Sequence, residues 1–204
     1  MTTPEVPART ASLQRATAET SISITVNLDG QGHYDVDTGN GFLDHMVSQI
    51  ARHGLFDIEV NAQGDTHVGW HHLVEDTAIM LGRAFAQALG EPRGIRRMGH
   101  AIVPLDETLV MVAVDWSGRP YASVDTTLDD TMVETLSGDL VAHFLESFAI
   151  EARINLHARV LAGVSPHHKA EALCKALARA LRDAVEPDPR AVGQVPSTKG
   201  TLDG

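Results

Sequence analysis

Apolar and polar residues alternate at Ile22, Ile24, Val26 and Leu28, the period-two pattern of a strand with one buried face. The Asp29-Gly30-Gln31-Gly32 turn leads into a second short strand, His33 to Asp37, and the pair reads as a hairpin. Phe42-Leu43-Asp44-His45-Met46 then opens an apolar-periodic segment that continues through Ile50. Ile58, Val60 and Ala62 alternate with Asp57, Glu59 and Asn61 as a further strand, and Thr77 to Leu89 places Ile79, Met80, Leu81, Phe85 and Leu89 in an Ala-rich helical pattern.

The same order recurs in the second half. Two or three strands are predicted around His100 to Leu105, Leu109 to Asp115 and Pro120 to Asp125, followed by a segment opened by Val141-Ala142-His143-Phe144-Leu145 and running to Ile150. Ile154, Leu156 and Ala158 alternate next, and Ala172 to Val185 carries Leu173, Leu177 and Leu181 as a helical stripe. A shift of 96 maps Leu81 onto Leu177, Phe85 onto Leu181 and Ile58 onto Ile154; His45 and His143 lie 98 apart, which places a two-residue indel between helix and strand. The chain therefore reads as a tandem duplication of a β-β-α-β-α half-domain, an α+β architecture with helices on one face of each small sheet. The expected divisions are a flexible N-terminus at 1–11, repeats at 12–95 and 96–186 joined near Glu91 to Gly99, and a non-helical tail at 187–204.

Composition narrows the function classes. A net charge of −11 disfavours nucleic acid as a partner, although a local Arg and Lys cluster can still oppose the global sign for a small anion. The single cysteine, Cys174, cannot form an internal disulfide, which fits a reducing compartment. There is no apolar run long enough to span a membrane, and Met1 to Ala11 lacks the apolar core of a signal peptide, so a cytoplasmic protein without membrane partners is expected.

The chemistry lies in two matching motifs, His71-His72-Leu73-Val74-Glu75 and His167-His168-Lys169-Ala170-Glu171. Residues i and i+4 share a helix face, so His71 with Glu75, and His167 with Glu171, can each meet one ion. The adjacent His72 and His168 project about 100° away and are expected to reach a second ion. His45 and His143 complete the set: six imidazoles and two carboxylates around two metals, each drawing on both repeats. Nitrogen and oxygen donors without thiolate suit Mn²⁺, Fe²⁺ or Zn²⁺, and an octahedral number favours Mn²⁺. His33, His53, His100 and His157 carry no such pattern, and His67 is undecided.

Thr38-Gly39-Asn40-Gly41-Phe42-Leu43-Asp44-His45-Met46, His71-His72 with Glu75-Asp76-Thr77, Ser117-Gly118-Arg119-Pro120 and Pro196-Ser197-Thr198-Lys199-Gly200 closely resemble the imidazoleglycerol-phosphate dehydratases. The likeness runs from about Arg15 to Leu202, nearly the whole chain. It implies the ribosomal-protein-S5-domain-2-like fold in duplicate and a lyase of L-histidine biosynthesis that converts D-erythro-imidazole glycerol phosphate to imidazole acetol phosphate. It implies two Mn²⁺ ions per active site on His45, His71, His72, Glu75, His143, His167, His168 and Glu171, the residues that spacing also selects. The family's phosphate site falls on Arg97, Arg119, Lys175, Ser197 and Lys199, which suits guanidinium and ammonium recognition of phosphate. Glu19 matches a glutamate near the substrate hydroxyls, and the family assembles as trimers that build a 24-subunit shell with active sites shared between subunits.

The reaction removes a proton from a carbon that no carbonyl acidifies, so the imidazole ring must serve as electron sink, held by two metals as an imidazolate. Glu171 is expected to shuttle protons and Glu19 to help the hydroxyl leave, with Glu75 the third catalytic carboxylate. Asp106 and Glu107 are polar candidates with no assigned role. Three stretches depart from the family pattern: Gly69-Trp70 where an acidic pair is usual, Asn40 where Ile is typical, and Val164-Ser165-Pro166. A dinuclear metallohydrolase would use similar ligands, but usually with bridging carboxylates; a non-catalytic metal-assembled shell would not need Arg97, Arg119, Ser197 and Lys199.

Overall fold

The computed structural model of the chain describes residues 8–202. The first half contains β1 (Thr10–Ala16), β2 (Thr20–Asn27), β3 (Tyr34–Asp37), α1 (Gly41–Gly54), β4 (Asp57–Gly64) and α2 (His71–Leu89). The second contains β5 (Met98–Leu105), β6 (Thr108–Asp115), β7 (Tyr121–Asp125), a small hairpin of β8 (Met132–Val133) and β9 (Leu136–Ser137), α3 (Gly138–Glu151), β10 (Asn155–Ala162) and α4 (Pro166–Val185). The four-stranded sheets run β1-β2-β4-β3 and β5-β6-β10-β7, each with two antiparallel pairings and one parallel pairing at the β3 or β7 edge. One topology used twice is what a duplicated half-domain produces.

Each half places three strands of its four-stranded sheet before its first helix, where the half-domain pattern expected two. The expected N-terminal segment 1–11 extends outside the described residues up to residue 7, and Thr10 and Ala11 belong to β1. That strand is hard to read from sequence because its third inward-facing position is Arg15, which enters beneath the sheet to pair with the buried Asp76. The expected β2–β3 hairpin does not form: β2 lies between β1 and β4, while β3 crosses to the far edge and pairs parallel with β4, Tyr34 opposite Ile58. Asp57 anchors the crossing, its Oδ1 accepting from the backbone N–H groups of Gln31 at 2.8 Å and His33 at 2.9 Å.

Helices α1 and α2 cover one face of the first sheet and α3 and α4 one face of the second, and the two layers meet as the pairs α1–α4 and α2–α3. The alternating residues Ile22, Ile24 and Val26, with Ile58 and Val60, are buried under the first pair; Val110, Val112 and Val114, with Leu156 and Ala158, under the second. One apolar core thus joins both halves. The repeat also has a sharper register than a shift of 96. Leu55 and Arg153, 98 apart, both take left-handed φ angles (56° and 57°) at the ends of α1 and α3, and β4 and β10 each begin two residues later. The two-residue indel therefore lies after the strand, in the loop leading to α2 or α4. A period of two cannot detect a shift of two, so the alternation hides this displacement.

Among the described residues no helix is long and apolar enough to cross a membrane.

Candidate metal centre

The helix pairing brings the histidines together. His45 lies in the first turns of α1, where Asn40 caps the helix by accepting from the N–H groups of Phe42 and Leu43, both at 3.1 Å. Asp44 answers from inside the helix, accepting from Thr38 N–H at 2.9 Å and Thr38 O–H at 2.6 Å. The opening of α4 is set by Ser165, whose Oγ accepts from His168 N–H at 3.3 Å, with Pro166 in the first turn. Because α1 packs on α4, His45 Nε2 meets Glu171 Oε2 at 2.9 Å, and His167 Nε2 meets the same oxygen at 3.1 Å.

The second group forms where α2 meets α3. Glu75 places Oε1 3.3 Å from His143 Nε2 and Oε2 3.9 Å from His71 Nε2, while the His71 and His143 rings stack 4.8 Å apart. His143 Nε2 is shielded from solvent and makes no hydrogen bond. A buried ring nitrogen without a partner, aimed at a carboxylate and a second imidazole, is what a cation would satisfy. In each group of three the donor atoms lie within 4.8 Å of one another: His45, His167 and Glu171; His71, Glu75 and His143. Both therefore fit a divalent cation of the kind that takes nitrogen and oxygen donors.

His72 and His168 join neither group. The rings of each adjacent pair stand 86° apart at 6.2 Å, the same in both repeats, so the second histidine faces away. His72 Nδ1 lies 3.1 Å from both oxygens of Asp65, and this raises its pKa above the ordinary histidine value. His168 Nδ1 lies 2.7 Å from Glu107 Oε2, which raises its pKa likewise. Glu107 also accepts from the N–H groups of Ser165 at 2.8 Å and Val164 at 3.1 Å, and with these bonds its carboxyl stays well below the usual range. A role thus appears for Glu107 and for Asp65, the latter missed from sequence because nothing in the 65–70 loop marks it as a partner of a helix residue.

Burial pushes the Glu171 carboxyl upward, but the hydrogen bonds from Lys175 and His45 outweigh it and hold the pKa at about 2. Lys175 Nζ stands 2.5 Å from Glu171 Oε1, one turn further along α4. The other phosphate candidates lie elsewhere. Arg97 grips Asp115 in a two-point pair (2.7 and 2.9 Å) and donates to the carbonyl of Pro196 at 2.8 Å, which ties the Ser197–Lys199 turn to it. Its own N–H bonds Ala184 at the far end of α4, nine residues and about 14 Å along the helix from Lys175. Arg119 is exposed in the loop after β6, where Ser117 and Asn155 bond its carbonyl. Glu19 is exposed beside His72 and Asp65, its carbonyl accepting from Asp65 N–H at 3.0 Å. His67 is also exposed, in the 65–70 loop.

Residues 38–181 match the family model for imidazoleglycerol-phosphate dehydratase. The chain is similar to the imidazoleglycerol-phosphate dehydratases of Roseiflexus sp. (strain RS-1), 58% identical over 95% of this chain and 98% of the relative, and of Dehalococcoides mccartyi (strain CBDB1), 56% identical over 96% and 98%. Its structure is similar to that of the enzyme from Pyrococcus furiosus in complex with (S)-C348, with a TM-score of 0.80 at 35% identity over 93% and 99% of the two chains. The enzyme from Staphylococcus aureus gives 0.78 at 34% identity over 87% and 99%.

Proposed function

The chain belongs to the imidazoleglycerol-phosphate dehydratase family, and on that premise we propose that its two His–His–Glu clusters hold two Mn²⁺ ions that share one imidazole substrate. It is a hydro-lyase of L-histidine biosynthesis, removing water from D-erythro-imidazole glycerol phosphate to give imidazole acetol phosphate. The observation that carries the metal reading is the pair of three-residue donor groups, each joining a histidine of one repeat to a histidine and a glutamate of the other. Bound there, the cations supply Lewis-acid stabilisation to an electron-rich ring.

The chain's own residues do the rest. Glu171, ionised and steadied by Lys175, accepts and returns the proton that moves between ring and side chain. Glu75 faces the second pair of imidazoles, and Glu19, exposed beside His72, assists departure of the hydroxyl. Arg97, Arg119, Ser197 and Lys199 take the phosphate together with Lys175. Since Arg97 is held at the C-terminal end of α4, about 14 Å along the helix from Lys175 in one chain, the two parts of this phosphate site come from different copies. His72 and His168, each with Nδ1 held by a carboxylate, complete the metal shells of neighbouring copies in the same way, within a shell of 24 subunits built from trimers.

Incubating Mn²⁺-loaded protein with imidazole glycerol phosphate, and following the ketone product by NMR, tests the reading. Product should form with two Mn²⁺ per chain and cease after chelation. A fully loaded protein that left the substrate unchanged would sink it.

A further inference from the structure

Among the described residues, the β8–β9 hairpin has no counterpart in the first half. Its strands pair Val133 with Leu136, leaving the two-residue turn Glu134–Thr135. Glu134 has a φ of 53°, in the left-handed region where a side chain crowds the backbone and where glycine usually opens such a turn. Burial does not hold it there, since its side chain is 57% exposed.

What Glu134 does reach is the remote nitrogen of a cluster histidine: its Oε1 lies 3.0 Å from His167 Nδ1. The next residue ties the turn to the other helix of the same cluster, Thr135 Oγ1 donating to Asn40 Oδ1 at 3.0 Å. That oxygen is the one capping α1, which sets both Phe42 and His45; the Phe42 ring lies 5.4 Å from the His167 ring and 6.2 Å from that of His45. His45 Nδ1 in turn faces Gln49 Nε2 at 3.4 Å.

The second cluster has no such support. His71 is 58% exposed, and among the described residues the ring nitrogens of His71 and His143 reach no carboxylate but that of Glu75, each through Nε2. An imidazole presents a ligand nitrogen well when its other nitrogen is held, because the partner fixes tautomer and ring orientation and raises ligand basicity.

We propose that the β8–β9 hairpin is a brace that pre-orients the His45–His167–Glu171 cluster, with Glu134 as its positioning residue, so that this cluster takes a divalent cation more tightly than the His71–Glu75–His143 cluster. The proposal rests on the metal reading given above. Metal-stripped full-length protein, its E134G variant and its E134Q variant are titrated with Mn²⁺ alone, free Mn²⁺ being read by electron paramagnetic resonance. Wild type should show two classes of site. E134G should weaken the tighter class about 10- to 100-fold and leave the weaker one in place, while the thermal midpoint of its metal-free form stays level or rises, because glycine suits the turn. E134Q, which keeps an oxygen acceptor for His167, should bind closer to wild type than E134G does. Unchanged binding by E134G, equal weakening of both classes, or an E134Q no tighter than E134G would overturn the proposal. A wild-type chain that took up fewer than two Mn²⁺ would overturn the metal reading itself.

Discussion

Glu171 shows how one side chain is prepared by its surroundings. Burial raises its pKa, yet Lys175 and His45 hold it at about 2, so it is a carboxylate at neutral pH. Glu171→Gln should therefore lower turnover by about 10²-fold or more and weaken Mn²⁺ retention; near-normal turnover with full metal content, measured on the same sample, would remove Glu171 from the mechanism. Asp57 gives a pH-dependent test of the fold. Burial raises its pKa, but the N–H groups of Gln31 and His33 win and the net shift is downward. A depressed folded pKa contributes stability that is fully present above the ordinary carboxylate range and is lost as pH falls through the folded value. Urea midpoints should accordingly show Asp57→Asn to be less stable than wild type at neutral pH, the gap closing in acid. A gap that persisted at pH 2 would argue against the assignment. At this scale the ligand types were legible from sequence, since two HHxxE motifs and two further histidines announce themselves. The partners Asp65 and Glu134 were not, lying 7 and 33 residues from the histidines they hold, in loops with no motif of their own.

Helix α2 meets α3 at Gly82, where an added Cβ would come within 2.5 Å of the Phe148 carbonyl and 2.9 Å of Ala152 N. Alanine favours a helix by up to about 1 kcal/mol over glycine, but here it meets backbone that cannot move aside. Gly82→Ala should lose about 1–3 kcal/mol by urea denaturation and loosen the His71–Glu75–His143 cluster, which joins the same two helices about two turns away. At the start of α4, Ser165→Ala should cost about 1 kcal/mol through its lost cap; an unchanged denaturation midpoint would show that Glu107 alone secures this turn. The long helices could be read from their apolar stripes, because amphipathic spacing is a local property. β1 and β3 could not be paired correctly: Arg15 interrupts the alternation of the first, and the second is too short to announce which neighbour it joins.

For the molecule as a whole, the proposed reading of two three-donor clusters and a phosphate set divided along α4 requires more than one copy per site. Light scattering should find a large homo-oligomer in Mn²⁺ that shrinks on chelation, and His72→Ala should shrink it even with metal present, although both single-chain clusters remain. A metal-replete monomer would refute shared sites. Sequence by itself determined the α+β class, the tandem duplication and the placement of each HHxxE motif at the start of a helix, because periods of two and 3.6 residues and helix-opening signals act over a few neighbours. Only the tertiary structure decided that α1 pairs with α4 and α2 with α3, which assigns His45 to Glu171 and His143 to Glu75. It also turned His72 and His168 away from both clusters of their own chain. The physical reason is that partner choice depends on burying the apolar faces of two sheets and four helices at once, a requirement spread over the whole chain and written in no single segment.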